Sequence, residues 1–589
     1  SMKDFVKMTL AVICGLFIMG IIGFFVFAGI IGAVASLGNS TPVMPRSGVL
    51  LMDMSKTAVS EQTKEIDTKA LLQGDETRYL GVWDAVKSIK AAEADPAIQY
   101  ILLKSDGLSA GIAQTEELRQ ALSEFRNSGK AVISYIENPT TASYYLASVA
   151  DKIYMGSYVG GTTMMTGVSA QLIFLKDLLD KFGVNVQLIR HGKYKSAGEM
   201  YIKNSPSEEN LEQNQAMINS IWTNLAEKIC ESRGISREQL DEMIDNLELN
   251  SPSDFLSHSL VDEILTKEEL KSRLASLSVK DSYNDISFIN INDYASILNS
   301  NISSAKKKIA IIVAEGEIVD GYGKQQVAGD RFASIIADVR ADSTVKAVVL
   351  RVASPGGSVL ASEKIKTEID LLRKDKPVIA SYGDYAASGG YWISNSCDKV
   401  FSDPSTLTGS IGVFSMIPEF GKTAKDIFHV NIVTIGSSKH GDMYSLMRPF
   451  SSDEYSYMQQ SVENIYTAFL NNVAEGRNMT PEAVDNIAQG RVWTGSDALG
   501  IGLVDEMGTL ADAVRYAAIS AGESDLDEWN IESFPRPQTT LEMIMEAITG
   551  TSEVLTGTPF ESIGNIYKDI TERKSIDVIA RMPYIMSIR

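Results

Sequence analysis

The stretch Gly383-Asp384-Tyr385-Ala386-Ala387-Ser388-Gly389-Gly390-Tyr391-Trp392-Ile393-Ser394 directly follows an apolar run, Pro377-Val378-Ile379-Ala380-Ser381-Tyr382. An apolar run of this length reads as a buried strand, and the glycines after it let the backbone come close to a ligand. A serine at a strand-to-helix turn is a common setting for a nucleophile. The G-x-S-x-G elbow does not fit, because Ala386 stands where its first glycine belongs. If Ser388 is a nucleophile, it needs a base to take its proton.

Composition narrows the setting. The chain has 589 residues, 44% hydrophobic and 22% charged, which describes an ordinary globular protein with room for several domains. A net charge of −21 argues against nucleic acid as a partner, since phosphate binding needs clustered Lys and Arg. The three cysteines, Cys14, Cys230 and Cys397, are too widely spaced for a disulfide framework or a zinc knuckle, and Cys397 reads as a small core residue. No charged side chain occurs between Lys7 and Arg46, and the run from Leu10 to Ile31 is almost wholly apolar. That matches the about 20 residues needed to cross a bilayer. Ala33-Val34-Ala35 has the form of a signal cleavage site, so removal of the segment stays open. Lys3 and Lys7 precede the span, and the positive-inside rule then places the bulk of the chain outside the cytoplasm.

The chain is internally duplicated. Ala94 through Met155 can be laid without a gap on Ala341 through Ser402. Ile101-Leu102-Leu103-Lys104 then falls on Val348-Val349-Leu350-Arg351, and Asp151-Lys152 on Asp398-Lys399. Further on, Leu260-Val261-Asp262-Glu263 matches Leu503-Val504-Asp505-Glu506. Such a long period means duplicated domains rather than a solenoid. The expected organisation is an N-terminal tail and anchor over 1–46, a first domain over 47–300, a second over 301–535 and a helical tail over 536–589. Each half reads as β-α-β-α, with Ile365, Ile369 and Leu372 on one face of a helix between strands Val348–Val352 and Pro377–Tyr382. The fold class is therefore α/β with a largely parallel sheet, whose ligand sits at the carboxyl ends of strands. The turns there, Ser354-Pro355-Gly356-Gly357 and Gly383 to Gly390, point at one crevice. Opposite them the first half has Leu108-Ser109-Ala110 and Thr141-Ala142-Ser143, so the chemistry is expected in the second half.

The four histidines, His191, His258, His429 and His440, sit in no recognisable catalytic motif. The alternative base is a lysine whose pKa is lowered by burial or by a neighbouring cation. Residue identity alone leaves several lysines open, Lys439 in Ser438-Lys439-His440-Gly441 among them.

Ser354-Pro355-Gly356-Gly357, Asp384 to Tyr391 and Thr408-Gly409-Ser410-Ile411-Gly412-Val413 closely resemble the signal peptide peptidase A (protease IV) family. Gly490-Arg491-Val492-Trp493-Thr494-Gly495, Gly502-Leu503-Val504-Asp505 and Gly192-Lys193-Tyr194-Lys195-Ser196-Ala197 add to the match, which spans nearly the whole chain. The resemblance implies tandem Clp protease/crotonase-like domains behind a transmembrane helix. It implies a Ser/Lys dyad with Ser388 as nucleophile, Lys195 as general base and Ser410 bonded to the lysine. The backbone N–H groups of Gly357 and Gly389 are then placed to bind the oxyanion. It further implies hydrophobic or signal-peptide substrates, a homotetramer, an inner-membrane location with the domains on the periplasmic side, and no metal, nucleotide or redox cofactor.

Each half would supply one member of the dyad, and Lys439 would be a decoy. Tyr391, Trp392, Phe401 and Phe414 read as core, and residues 541–548 as an amphipathic docking helix. Two other readings share the fold: an acyl-CoA enzyme of crotonase type and a non-catalytic membrane scaffold.

Overall fold

The structure is a computed structural model that describes residues 44–64, 77–161, 163–300, 305–324, 326–536 and 579–582, with positions 15, 19 and 42. The apolar N-terminal run, apart from positions 15 and 19, and the expected helix over 541–548 lie outside the described residues. Among the described residues no helix is long and apolar enough to cross a membrane.

The chain is mixed α/β, built on two large sheets and a third that joins them. The first half forms an all-parallel sheet in the order Glu263–Leu265, Lys152–Gly156, Val132–Ile136, Ile98–Lys104, Gly48–Asp53, Phe288–Asn290. The second half repeats this with Glu506–Met507, Lys399–Ser402, Val378–Ala387, Val345–Ser354, Lys307–Glu315 and Trp529–Phe534. It adds Leu407–Gly409 and Val492–Thr494 beside the far end of Val378–Ala387. Parallel strands need crossover connections, which helices such as Ile112–Asn127 and Val359–Arg373 provide. On the latter, Ile365, Ile369 and Leu372 face the core as their spacing predicts.

The duplication extends to side-chain contacts with the backbone. Asp151 accepts from the Val132 N–H at 2.8 Å, and Asp398 accepts from the Val378 N–H at 2.8 Å. Asp262 accepts from the Ile153 N–H, and Asp505 from the Val400 N–H, each at 2.8 Å. Lys130 donates to the carbonyls of Ala92 and Asp95, and Lys376 to those of Val339 and Asp342. A buried backbone group left unpaired costs as much as a lost hydrogen bond, so these side chains have stayed in register in both copies.

Two differences from the expected elements matter for the site. The strand expected to end at Tyr382 runs on to Ala387, with its pairing to Val345–Ser354 shifting beyond Val352. Gly356–Ser358, read from sequence as a turn, is itself a strand in the third sheet. In both places glycine and polar residues mask strands that the backbone ladder satisfies.

Several contacts fasten the halves. Strand Asn185–His191 of the first half pairs antiparallel with Val413–Glu419 of the second, from Asn185 opposite Glu419 to His191 opposite Val413. Helix Ile112–Asn127 of the first half docks onto the second half through its N-terminal turns. Gly111 at its N-cap has no side chain to offer, and the Asp384 carboxylate accepts from the Ala113 N–H at 2.9 Å instead. The fully buried Arg351 lies 2.7 Å from Glu61 and 2.6 Å from Glu117, and also donates to Ser381 and the Tyr382 carbonyl. Burial pulls its pKa down, and Glu117 and Glu61 more than offset that and keep it charged.

Replacing Arg351 with Met leaves two buried carboxylates without their cation. Arg351→Met should lower stability by about 3–5 kcal/mol in denaturant unfolding, whereas removing an exposed pair through Lys228→Met should change it by less than about 1 kcal/mol.

Candidate active site

Three consecutive strand ends of the second sheet converge. Ser388 follows Val378–Ala387, Ser410 follows Leu407–Gly409, and Gly356 and Gly357 follow Val345–Ser354. Ser388 has φ 55° and ψ −112°, a conformation that a residue with a Cβ rarely adopts and that costs about 1–3 kcal/mol. It is held there by its N–H donating to the Gly409 carbonyl at 2.8 Å and its carbonyl accepting from the Trp392 N–H at 2.8 Å. The Gly389 N–H opens the short helix Gly389–Ser394, so it is one of the amides the helix leaves unpaired.

Lys195 arrives from the first half. Because His191 opposes Val413, the chain just after His191 and the chain just before Val413 lie at the same end of that ladder. Lys195 and Ser410 sit on those two continuations. The Lys195 Nζ is 2.8 Å from Ser388 Oγ, 3.0 Å from Ser410 Oγ and 3.0 Å from the Ser410 carbonyl, and all three residues are fully buried. A neutral amine has two N–H bonds and one lone pair. Donating to the Ser410 carbonyl and hydroxyl uses both hydrogens and leaves the lone pair for the Ser388 O–H. Desolvation pushes the Lys195 pKa well below its usual value, which favours that neutral form.

The loop carrying the lysine is pinned on several sides. The Tyr194 N–H donates to the Gln489 carbonyl at 2.9 Å, and Arg190 donates to the Lys195 carbonyl at 2.7 Å. Gln213 donates to the Tyr194 carbonyl and Ser196 hydroxyl and accepts from the Val492 N–H, so one amide ties the loop to the second half. Gly490 must be glycine: a Cβ there would sit 2.6 Å from the Lys195 Cβ and 2.7 Å from its N. This close approach explains the first residue of the Gly490-to-Gly495 motif.

The structure therefore brings Ser388, Lys195 and Ser410 into contact, and sets Gly357 beside Gly389, where a Cβ on Gly389 would come 3.1 Å from the Gly357 N. Lys439 is exposed, its ammonium held by Asp453. His191, His258 and His440 each have a carboxylate partner, Glu463, Glu248 and Glu454 respectively. Cys397 is buried, and burial raises its thiol pKa to about 12, far from a reactive thiolate. Tyr391, Trp392 and Phe401 lie in the cores. Phe414 instead forms a small apolar cluster with Ala197 and Ile579, flanked by Leu188 and Met416.

Beneath the serine strand lies a set of buried acids that sequence reading missed. Glu116 accepts from the Ser405 hydroxyl at 2.6 Å, and Asp384 and Asp403 lie in the same network. Desolvation raises Glu116 to about 7 and Asp384 to about 6, and pushes Asp403 well up.

This arrangement, a strained serine against a buried amine beside paired glycine amides, has the parts that nucleophilic hydrolysis by a serine requires. The comparisons agree on the class: the chain is a protease. The sequence model of peptidase family S49 matches residues 124–280 and 370–523, one region in each half. The chain is 34% identical over 513 residues to Protease 4 of Haemophilus influenzae, covering 84% of this chain and 83% of that one. It is 35% identical over 550 residues to Protease 4 of Salmonella typhi, covering 90% and 87%. It is 30% identical over 468 residues to the chloroplastic serine protease SPPA of Arabidopsis thaliana, covering 78% and 68%. The chain belongs to peptidase family S49, within which its relatives carry the signal peptide peptidase and Protease 4 names.

The raised acids set a pH dependence. A carboxyl with a folded pKa above its unfolded value contributes stability at low pH that is lost as pH rises towards the folded value. Glu116→Gln has no proton to lose, so its stability relative to wild type should improve as pH rises from about 5 to 7, by at most about 1.4 kcal/mol per pH unit, and level off near pH 8. Unfolding of the two proteins across that range checks this, and a constant difference would contradict it.

Proposed function

We propose that this chain is a membrane-anchored serine endopeptidase with a Ser/Lys dyad that degrades hydrophobic peptides, cleaved signal peptides among them. Ser388 is the nucleophile and Lys195 the general base. The supporting observation is the 2.8 Å separation of Lys195 Nζ and Ser388 Oγ in a fully buried setting. Hydrogen-bond reach between nucleophile and base, with the base oriented by a third group, is what nucleophilic catalysis needs.

Neutral Lys195 takes the Ser388 proton as Oγ attacks a peptide carbonyl. The N–H groups of Gly357 and Gly389 receive the developing oxyanion, and a donor of this kind is worth about 3–4 kcal/mol. Lys195 then protonates the leaving amine, and water releases the acyl group by the reverse path. Ser410 holds the amine in line between proton transfers. The dyad forms within one chain, one member from each half. The names of the relatives support proteolysis and, for the plant protein, the serine type.

The same reading carries tandem Clp/crotonase-like domains over 47–300 and 301–535, an anchor within 1–46, a tail over 536–589 and assembly as a homotetramer. The anchor rests on the apolar run between Lys7 and Arg46, and the flanking lysines favour the outer face of the inner membrane for the catalytic domains.

Ser388→Ala and Lys195→Ala should each reduce casein or peptide hydrolysis at least about 1,000-fold, and Lys439→Ala should keep most of it. An active Lys195→Ala enzyme would overturn the assignment of the base. Acyl-CoA turnover surviving both substitutions would instead support the crotonase reading, and no turnover of any substrate the scaffold. Because the lysine must be neutral to act, kcat/KM should fall with a one-proton slope as pH drops through its lowered pKa and stay level above it. A profile flat from about pH 5 to 10 would count against the lysine.

A further inference from the structure

Burial is what holds the Lys195 amine below its usual pKa, so the segments that keep water from it govern its basicity. One of them carries a side chain with no part in the mechanism above. Arg491 stands between Gly490, which backs the lysine, and strand Val492–Thr494, which pairs antiparallel with Leu407–Gly409. Its carbonyl accepts from the Ser410 N–H at 2.7 Å. Ser410 sits at φ 49°, a left-handed conformation uncommon for a residue with a Cβ, and this bond helps to hold it there. The Arg491 backbone therefore aims the two Ser410 oxygens that take the hydrogens of the lysine.

The Arg491 side chain reaches the other way, to the first half. Its guanidinium lies 4.8 Å from the ring centre of Tyr194, the residue before Lys195, and 4.4 Å from that of Trp493. It donates to the Tyr194 hydroxyl at 3.2 Å and to Glu212 at 3.0 Å, and the Tyr194 hydroxyl donates to Glu212 at 3.1 Å. A planar guanidinium stacks on aromatic rings while its N–H groups bond a carboxylate, a combination an ammonium does not offer. Tyr194 is buried, and the Trp493 ring is itself fixed by its N–H donating to the Ile487 carbonyl at 2.9 Å. The Gln489 and Gln213 bonds fix the backbone of the base loop, and Arg491 fixes its aromatic side chain.

The other charged groups packed around this loop are balanced among themselves. Arg190 and Lys203 lie against Glu199, His191 against Glu463, and the Lys193 ammonium lies 5.0 Å from the Tyr194 ring. The Lys195 amine bonds to Ser388 and Ser410. Exclusion of water, rather than a neighbouring cation, is thus the lever on this base.

We propose that Arg491 is a positioning residue for the general base: its guanidinium, set against Tyr194 and Trp493, holds the loop of the first half closed over the site, so that Lys195 stays out of water and in line with Ser388. The inference rests on the Ser/Lys reading above and adds a device that couples docking of the halves to the basicity of the amine. When the clamp is lost, water reaches the amine, its pKa rises towards that of an ordinary lysine, and less of it is neutral at a given pH.

The test is the pH profile of kcat/KM on a quenched fluorogenic apolar peptide, with the full chain in detergent. In Arg491→Ala the acid limb should move to higher pH by about one unit or more, which is about a tenfold loss on that limb. The loss should be carried by kcat, with KM within about twofold of wild type, and activity should recover at alkaline pH. Trp493→Leu removes one ring, leaves every charge in place and should move the limb in the same direction. Arg491→Lys keeps a cation near Tyr194 and should move it by less than Arg491→Ala does. An Arg491→Ala enzyme whose limb stays in place, whether its activity is normal or falls equally at every pH, overturns this inference and leaves the Ser/Lys reading standing. So does a shift in Arg491→Ala that Trp493→Leu does not share, because loss of a nearby positive charge by itself raises the pKa of an amine. If Arg491→Ala does not fold, Arg491→Lys and Trp493→Leu decide by the same criterion. A wild type with no acid limb overturns the Ser/Lys reading and this inference together.

Discussion

Burying the amine of Lys195 is the constraint on which the site depends. Water would keep that group charged, and each unit by which its pKa is lowered costs about 1.4 kcal/mol at neutral pH. The fold meets that cost with rigid partners. Two oxygens of Ser410 take its hydrogens, Gln213 and Arg190 fix the loop that carries it, and Gly490 vacates the space its backbone fills. None of this holds unless the two halves dock in one register. The Arg351 pairing with Glu61 and Glu117 supplies that register, because a buried cation and its carboxylates are satisfied in one arrangement and heavily penalised in others.

The duplicated halves divide structure from chemistry. The aspartates and lysines that bond to backbone groups at the starts of strands and the ends of helices are kept in both copies, since losing any of them would leave backbone groups unpaired. The strained turn is kept in one. In the first half the corresponding helix opens at Thr140 in ordinary extended geometry, with the Thr140 hydroxyl accepting from the Ser143 N–H at 3.2 Å. In the second it opens at Ser388 with φ 55° and ψ −112°. Strain that is dispensable in one copy and present in the other marks where the fold has been spent on function.

Local pattern carried much of this. Period-3.6 spacing gave helix Val359–Arg373, and the match between the halves gave the paired sheets, since both depend on neighbours in the chain. Ser388 stood out by its place between an apolar strand and a glycine turn, whereas Lys195 and Ser410 were named by resemblance, because nothing local distinguishes Lys195 from a solvated lysine. Charged residues that act across the interface were illegible for the same reason. Glu116 and Glu117 look like the polar face of a helix, and only the docking of the second half turns that face inward. Asp384 stood in the opening stretch as an unexplained acid until the Ala113 amide in the other half came to meet it. The strand at Ile579 is too short for any period to reveal and borrows its order from the groove it enters.

That groove links recognition to the base. Val413–Glu419 pairs on one edge with Ile579 and on the other with Asn185–His191, the strand whose continuation carries Lys195. Strand Ile579–Arg581 is held between its two neighbours through main-chain bonds, which would suit any extended sequence, while the pockets for its side chains suit only some. Since Val413–Glu419 borders that strand and positions the amine, a distortion of the slot displaces the base as well. The pocket around Ile579 is drawn from both halves, through Ala197 and Leu188 on one side and Phe414 and Met416 on the other. Strand Ile579–Arg581 therefore bridges the same interface that brings Lys195 to Ser388, and its burial there favours the docked arrangement of the two halves.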